Sequence, residues 1–146
     1  SDPRVTVMER TNARYLTQEH LNGCVPELTV MDVSFISVRL ILPVAAGLMK
    51  NQGIFCILIK PQFEAGRENV GKKGVVRDPA VHETVIREIR DFAPSFGYRM
   101  TQLDFSPIKG PEGNIEYLAR LDPACESVVT DERITETVAQ AHLTLK

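Results

Sequence analysis

One run constrains the fold more than any other. Residues 54 to 59 (Ile-Phe-Cys-Ile-Leu-Ile) are uninterrupted apolar sequence, and Lys60-Pro61 follows directly. Six apolar residues with no polar alternation read as a strand buried on both faces, the pattern of a central strand in an α/β sheet. Proline ends it, because it has no N–H for the ladder. The run therefore delivers a single lysine to the carboxyl end of a central strand. In open α/β sheets the crevice beyond those ends is where ligands bind. Lys60 is then a base, an anion clamp or a solvated strand end.

The neighbouring segments give the frame. Arg4 to Met8 alternates as a short strand, with Val5 and Val7 on one face. Thr17 and Asn22 bracket a short polar helix. Leu28 to Val33 reads as a buried strand passing through Asp32. Ser37 is placed to cap a helix reaching Lys50, with Leu40, Ile41, Val44, Ala45 and Leu48 as its apolar stripe. Residues 61 to 78 show no periodicity, a length that is usually functional or disordered in a compact domain. Asp78-Pro79 opens a helix with an N-cap aspartate and a proline at the first position. Val81, Val85, Ile86, Ile89 and Phe92 form its face, Pro94 ends it and Gly97 closes it. Tyr98 to Phe105 and Ile115 to Leu121 are strands joined by a short loop, which favours antiparallel pairing. Thr130 or Asp131 caps a last helix with Ile134, Val138 and Ala141 on one side. The expected order is β-α-β-α-β-α-β-β-α, an α/β sheet with a terminal antiparallel pair.

Charge and cysteine usage narrow the function. The net charge of -2 over 146 residues means that any anion-binding surface is local. Cys24, Cys56 and Cys125 are scattered, with no CxxC pair, which suits a reducing cytoplasm and leaves Cys56 as a small buried hydrophobe in its strand. His20, His82 and His142 lack metal-ligand spacing, so no metal site is expected. The uncharged stretch Leu40 to Met49 is far below the roughly 20 residues of a membrane span, and no signal peptide is visible. Asp2-Pro3-Arg4 leads abruptly into a strand, so the true N-terminus is expected upstream.

Three charged residues stand at strand ends: Asp32, Lys60 and Glu116. Asp32 and Lys60 close consecutive parallel strands, so their side chains are expected to meet. A lysine beside carboxylates is favoured in its protonated form. To act as a base it needs desolvation or a neighbouring cation. Alone, an aspartate there is more often a helix cap or solvated turn and a lysine more often solvated; together, with the flanking Pro and Gly and the long loop, the functional reading stands level with the structural one. The following loop adds a local excess: Lys60, Arg67, Lys72, Lys73 and Arg77 against Glu64 and Glu68. Gly66, Gly71 and Gly74 let the backbone come close to a ligand, and phosphate contacts suit such a loop. The alternative is a solvated loop. No GxGxxG or Walker motif occurs.

Five ordered blocks carry a resemblance. They are residues 9–14 (Glu-Arg-Thr-Asn-Ala-Arg), 32–37 (Asp-Val-Ser-Phe-Ile-Ser), 60–67 (Lys-Pro-Gln-Phe-Glu-Ala-Gly-Arg), 74–79 (Gly-Val-Val-Arg-Asp-Pro) and 106–117 (Ser-Pro-Ile-Lys-Gly-Pro-Glu-Gly-Asn-Ile-Glu-Tyr). Together they resemble the TlyA family of FtsJ-like ribosomal RNA 2′-O-methyltransferases, also labelled hemolysin A, over residues 2–121. The resemblance implies a Rossmann-like S-adenosylmethionine-dependent methyltransferase sheet. It also implies a Lys-Asp-Lys-Glu tetrad in which Asp32, Lys60 and Glu116 are the last three members. Lys60 would deprotonate or orient the ribose 2′-hydroxyl, and Asp32 and Glu116 would hold the two in place. Asn12 and Asp32 would lie near the cofactor, and Arg67, Lys72, Lys73, Arg77 and Lys109 would bind RNA. The implied partners are ribosomal RNA or ribosomal subunits.

The family's S4 RNA-binding domain, first tetrad lysine, Gly-rich cofactor loop and acidic ribose contact have no counterpart here. The family's sheet order is 3-2-1-4-5-7-6. Residues 1–146 therefore read as a partial methyltransferase domain, with a 4–121 core, a helix over 130–145 and the first two strands missing. Alone, such a chain is expected to bind the cofactor poorly and not to turn over. Its opening strand would have lost its neighbour, and such an edge invites pairing with a second copy. The competing readings are a non-catalytic RNA-binding module, against which the intact Asp32, Lys60 and Glu116 argue, and a cytolytic protein. The charges of the last helix argue against the second.

Overall fold

The computed structural model describes residues 1–146. Its strands are β1 (Leu28–Met31), β2 (Ile54–Ile59), β3 (Tyr98–Phe105) and β4 (Tyr117–Pro123). Its α-helices are α1 (Leu42–Leu48), α2 (Pro61–Glu64), α3 (Pro79–Phe92) and α4 (Asp131–Thr144). The four strands form one sheet in the order β1-β2-β4-β3. β1 and β2 are parallel, and β4 runs antiparallel to both β2 and β3. The apolar run of β2 is thus internal to the sheet, as its composition predicts, but it is buried on one face only: Cys56 is exposed and Leu58 half-buried on the other.

Local chemistry accounts for the helices. Asp78 accepts from the Ala80 N–H at 2.9 Å at the start of α3, and Pro79 follows at the first helical position. Thr130 accepts from the Arg133 N–H at 3.1 Å and starts α4. Ser37 caps its helix as expected, but the helix is split into a 3₁₀ turn, Val38–Leu40, and α1. Pro43 lies at the junction, where its missing N–H is tolerated in a first turn. Gly97 ends the turn after α3 at φ +88°, a conformation that glycine adopts freely.

The two faces of the sheet differ. Met31, Phe55, Ile57, Ile59, Tyr117, Ala119 and Leu121 point one way and are buried. They form a single cluster with Leu42 and Met49 from the α1 region, Ile86 and Ile89 of α3, and Ile134 and Val138 of α4. Leu28, Val30, Cys56 and Arg120 point the other way and are exposed, and Leu58 and Leu118 between them are only half-buried. No helix lies over this second face. Register explains the sharing of faces: Val30 pairs with Cys56, and Cys56 with Arg120.

Three expectations are corrected here. Arg4 to Met8 is not a strand: Val5 is 64% and Val7 72% exposed, and no ladder holds the segment. A period-two pattern makes a strand only where a neighbour supplies hydrogen bonds, and none adjoins it. Neither β1 nor Cys56 is buried as expected, because Leu28, Val30 and Cys56 lie on the uncovered face. Residues 61 to 78 also hold more structure than their aperiodic sequence indicates, namely α2 and two 3₁₀ turns, Arg67–Asn69 and Lys72–Gly74.

Candidate active site at the strand ends

Asp32 follows β1 and Lys60 follows β2, so parallel pairing brings them side by side. The Lys60 ammonium forms an ion pair with the Asp32 carboxylate and donates to Ser34 Oγ at 3.1 Å. The lysine side chain is only 10% exposed, whereas Asp32 is 62% exposed. An ammonium has three hydrogens to give. Two are engaged, and the third has no protein partner. Lys60 is thus a buried cation held in a fixed direction, with one donor left for a ligand.

Glu116 immediately precedes β4 and is 7% exposed. It makes no ion pair with Lys60. Gln62 donates to it from Nε2 at 3.2 Å, and the other amide atom, Oε1, is buried without a partner. Since a carboxylate only accepts, the amide is oriented by Glu116. The carboxylate fills the space that a side chain at Gly110 would need.

Glu64, at the end of α2, accepts from Ser37 Oγ at 2.6 Å and from the Val38 N–H at 2.8 Å. Its burial pushes the carboxyl above the usual range, an effect that these two bonds and the Arg39 guanidinium oppose. Beside α2, Phe35 stands 86% exposed with φ +71° and packs its ring on Phe63, centroids 5.0 Å apart. Phe35, Phe63, Gln62, Gly66, Arg67 and Val70 line one surface pocket.

The basic residues Arg67, Lys72, Lys73, Arg77 and Lys109 are all exposed. Lys72, Lys73, Arg77 and Lys109 fall on two loops that Asn114 joins: its Oδ1 accepts from the Val76 N–H at 3.1 Å, and its Nδ2 donates to Gly74 O and Pro111 O. His82 fixes the same stretch from α3. Its Nε2–H donates to Val76 O at 2.8 Å, so Nδ1 accepts from the Tyr117 hydroxyl at 2.8 Å. Burial lowers the His82 pKa and raises that of Tyr117, which suits a neutral pair. Arg67 is apart from these, at the aromatic pocket. Asn12 sits elsewhere, capping the 3₁₀ turn Ala13–Tyr15 with its carbonyl oxygen. No group of three or more potential metal ligands is present, and no helix is long and apolar enough to cross a membrane.

Ser34, Gln62, Glu64 and Asn114 were not singled out from the sequence. Their linear signals are proximity to Asp32, Lys60 and Glu116 and membership of the sequence blocks that carry the family resemblance.

The model of the FtsJ-like methyltransferase family matches residues 1–122. This chain belongs to that family. Over 99% of its length it is 49% identical to YqxC of Bacillus subtilis, a protein whose name assigns it provisionally to the rRNA methyltransferases. It is 38% identical, over 97% of its length, to the 16S/23S rRNA (cytidine-2′-O)-methyltransferase TlyA of Mycobacterium tuberculosis. A solved structure from Streptococcus thermophilus, provisionally called a hemolysin, superposes with TM-score 0.89 at 44% identity over 98% of this chain. The chain spans 53%, 52% and 52% of these three proteins, about half of each. The FtsJ-like assignment agrees with the resemblance carried by the five sequence blocks.

Proposed function

We propose that the full-length protein methylates a ribose 2′-oxygen of ribosomal RNA, with Asp32, Lys60 and Glu116 around the reacting hydroxyl. The observation that carries this reading is the buried Lys60 ammonium, fixed by Asp32 and Ser34 and keeping one donor free. The relatives' names supply the substrate class. S-adenosylmethionine would supply the electrophilic methyl group. Asp32, an exposed carboxylate beside the open edge of β1, fits a cationic sulfonium, and Asn12 keeps its amide hydrogens free for a ligand.

Within this reading, Lys60 directs its free N–H at the 2′-oxygen and orients the hydroxyl for in-line attack. Glu116, held by Gln62, accepts from the hydroxyl and draws its proton away from the side of attack. Alignment of this kind is a large part of what a transfer site contributes. A base must leave the RNA stack for its ribose to reach a recessed lysine. The exposed Phe35, backed by the half-buried Phe63, offers a platform for such a base. The basic loops joined by Asn114 would supply phosphate contacts, which give a salt-dependent affinity.

The 146 residues form the C-terminal part of the methyltransferase domain in this reading. The order β1-β2-β4-β3 fits the 4-5-7-6 end of the family sheet. The uncovered face and the unpaired edge of β1 fit a protein whose preceding strands and helices pack there. An S4 RNA-binding domain and the cofactor loop would belong to the same preceding part, and the chain alone would bind the cofactor weakly and turn over nothing. The expected compartment is the cytoplasm, where ribosomes are assembled.

The test is transfer of labelled methyl from S-adenosylmethionine to unmodified ribosomal RNA by the full-length protein. Label on ribose 2′-oxygen is expected, falling at least about a hundredfold in Lys60→Ala. No label on ribosomes, subunits or free RNA would replace this reading with that of an RNA-binding module.

A further inference from the structure

Glu64 has no place in the tetrad, yet its side chain is only 3% exposed. Removing a carboxylate from water is costly unless it is well paired. Its partners are Ser37 Oγ, the Val38 N–H and, at 3.8 Å, the Arg39 guanidinium. The turn they belong to is already capped, since Ser37 Oγ accepts from the Arg39 N–H at 3.1 Å. The Val38 N–H is another orphan donor of that turn, so Glu64 completes the cap, but capping alone does not account for a buried carboxylate supplied from a distant segment.

Its location does. Glu64 closes α2, which starts directly after Lys60, and its partners lie just beyond Asp32 and Ser34. The same two segments meet through the Lys60–Asp32 pair, the Lys60–Ser34 hydrogen bond and the Phe35–Phe63 contact. Between them Phe35 is held at φ +71°, a conformation that is unfavourable for a bulky residue and persists only where its surroundings over-determine it. Besides the Glu64 bonds, the far end of the Asp32–Ser34 segment meets the Lys60 turn through the Phe35–Phe63 contact.

We propose that Glu64 is a positioning residue for the transfer centre: its buried carboxylate clamps the segment bearing Asp32 and Ser34 onto the turn bearing Lys60, and so sets the direction of the Lys60 ammonium. This rests on the reading of Lys60 as the centre of the site.

The test compares Glu64→Ala, Glu64→Gln and Ser37→Ala in the full-length protein. Two quantities are read: the ¹⁵Nζ resonance of Lys60, and kcat and KM for methyl transfer to RNA. Glu64→Ala is expected to shift the Lys60 resonance and to lower kcat tenfold to about a hundredfold, a misalignment effect, leaving KM for RNA nearly unchanged. Glu64→Gln is expected to restore the resonance and most of kcat, because an amide oxygen still accepts from Val38. Ser37→Ala removes one bond and is expected to cost about threefold in kcat, which keeps the clamp testable if Glu64→Ala fails to fold. An unmoved Lys60 resonance in the folded variants overturns the proposal. So does a loss of activity that only follows the folded fraction. If the wild type transfers no methyl, the functional reading fails, while the resonance still decides the clamp.

Discussion

The two faces of the sheet use the same strands and the same alternation, yet only one is covered. On the closed face, Phe55, Ile57, Tyr117 and Leu121 meet side chains of three helices. On the open face, Val30 is 72% and Leu28 54% exposed, and the groove by Cys56 and Leu118 is bordered by polar Gln102, Asp104 and Arg120. The open face carries aliphatic residues in β1 and β2 that a permanently solvated face does not need. The difference teaches that burial is set by what packs on a strand, while the pattern within the strand sets only which residues share a face.

The contrast yields measurable differences in stability. Phe55→Ala, on the closed face, is expected to cost about 3–5 kcal/mol in denaturant unfolding. A loss below about 1 kcal/mol would mean that this face is not the packed one.

An intermediate effect comes from His82, which is 1% exposed on the closed side. Its pKa is lowered on folding, so the unfolded chain binds the proton more tightly. This contribution is complete above the ordinary value of 6.5 and is lost as pH falls below it, toward the lowered folded value. Stability is expected to decline through that window, and His82→Gln is expected to flatten the decline. Glu64 acts in the opposite sense. Its folded pKa is raised, so protonation favours the folded state as pH falls toward 4.5. Glu64→Gln should therefore steepen the acid loss. Because the two contributions oppose each other, each is read from its own variant: profiles of His82→Gln and Glu64→Gln that both superpose on the wild type would contradict the buried placement of the two groups.

The smallest effect belongs to the open face. Cys56→Ser is expected to change stability by less than about 0.5 kcal/mol. In this chain a thiol reagent should label Cys56 about as fast as it labels the exposed Cys24. In the full-length protein Cys56 should be protected while Cys24 still reacts. Equal labelling in both proteins would leave the face solvated and remove the packing argument.

Much of the frame was legible in the sequence because its signals are local. The apolar run before Pro61 located the central strand, and Asp78-Pro79 and Thr130 located two helix starts. The Asp32–Lys60 pair followed from two parallel strand ends, and the structure joins them by an ion pair. What stayed hidden depends on residues far apart in the chain. Glu64 meets Val38 across 26 positions, and Asn114 meets Val76 across 38. Spacing rules carry no information at such range. Val5-Thr6-Val7 and Cys56 were misread for one reason: a strand pattern does not reveal whether a neighbour or a covering layer is present.

The close fit of Gly110 to Glu116 makes position 110 a one-carbon switch. Its backbone, φ -79° and ψ -168°, is one that alanine adopts without strain. A methyl group there would press on the Glu116 carboxylate, the movable tip of a long side chain rather than a rigid wall. Gly110→Ala would thus turn the glutamate away from Gln62 while leaving every charge of the centre and of the basic loops in the chain. Under the proposed transfer function, the full-length protein with this change would act as a decoy: able to grip RNA, unable to transfer the methyl group, and suited to trapping the complex.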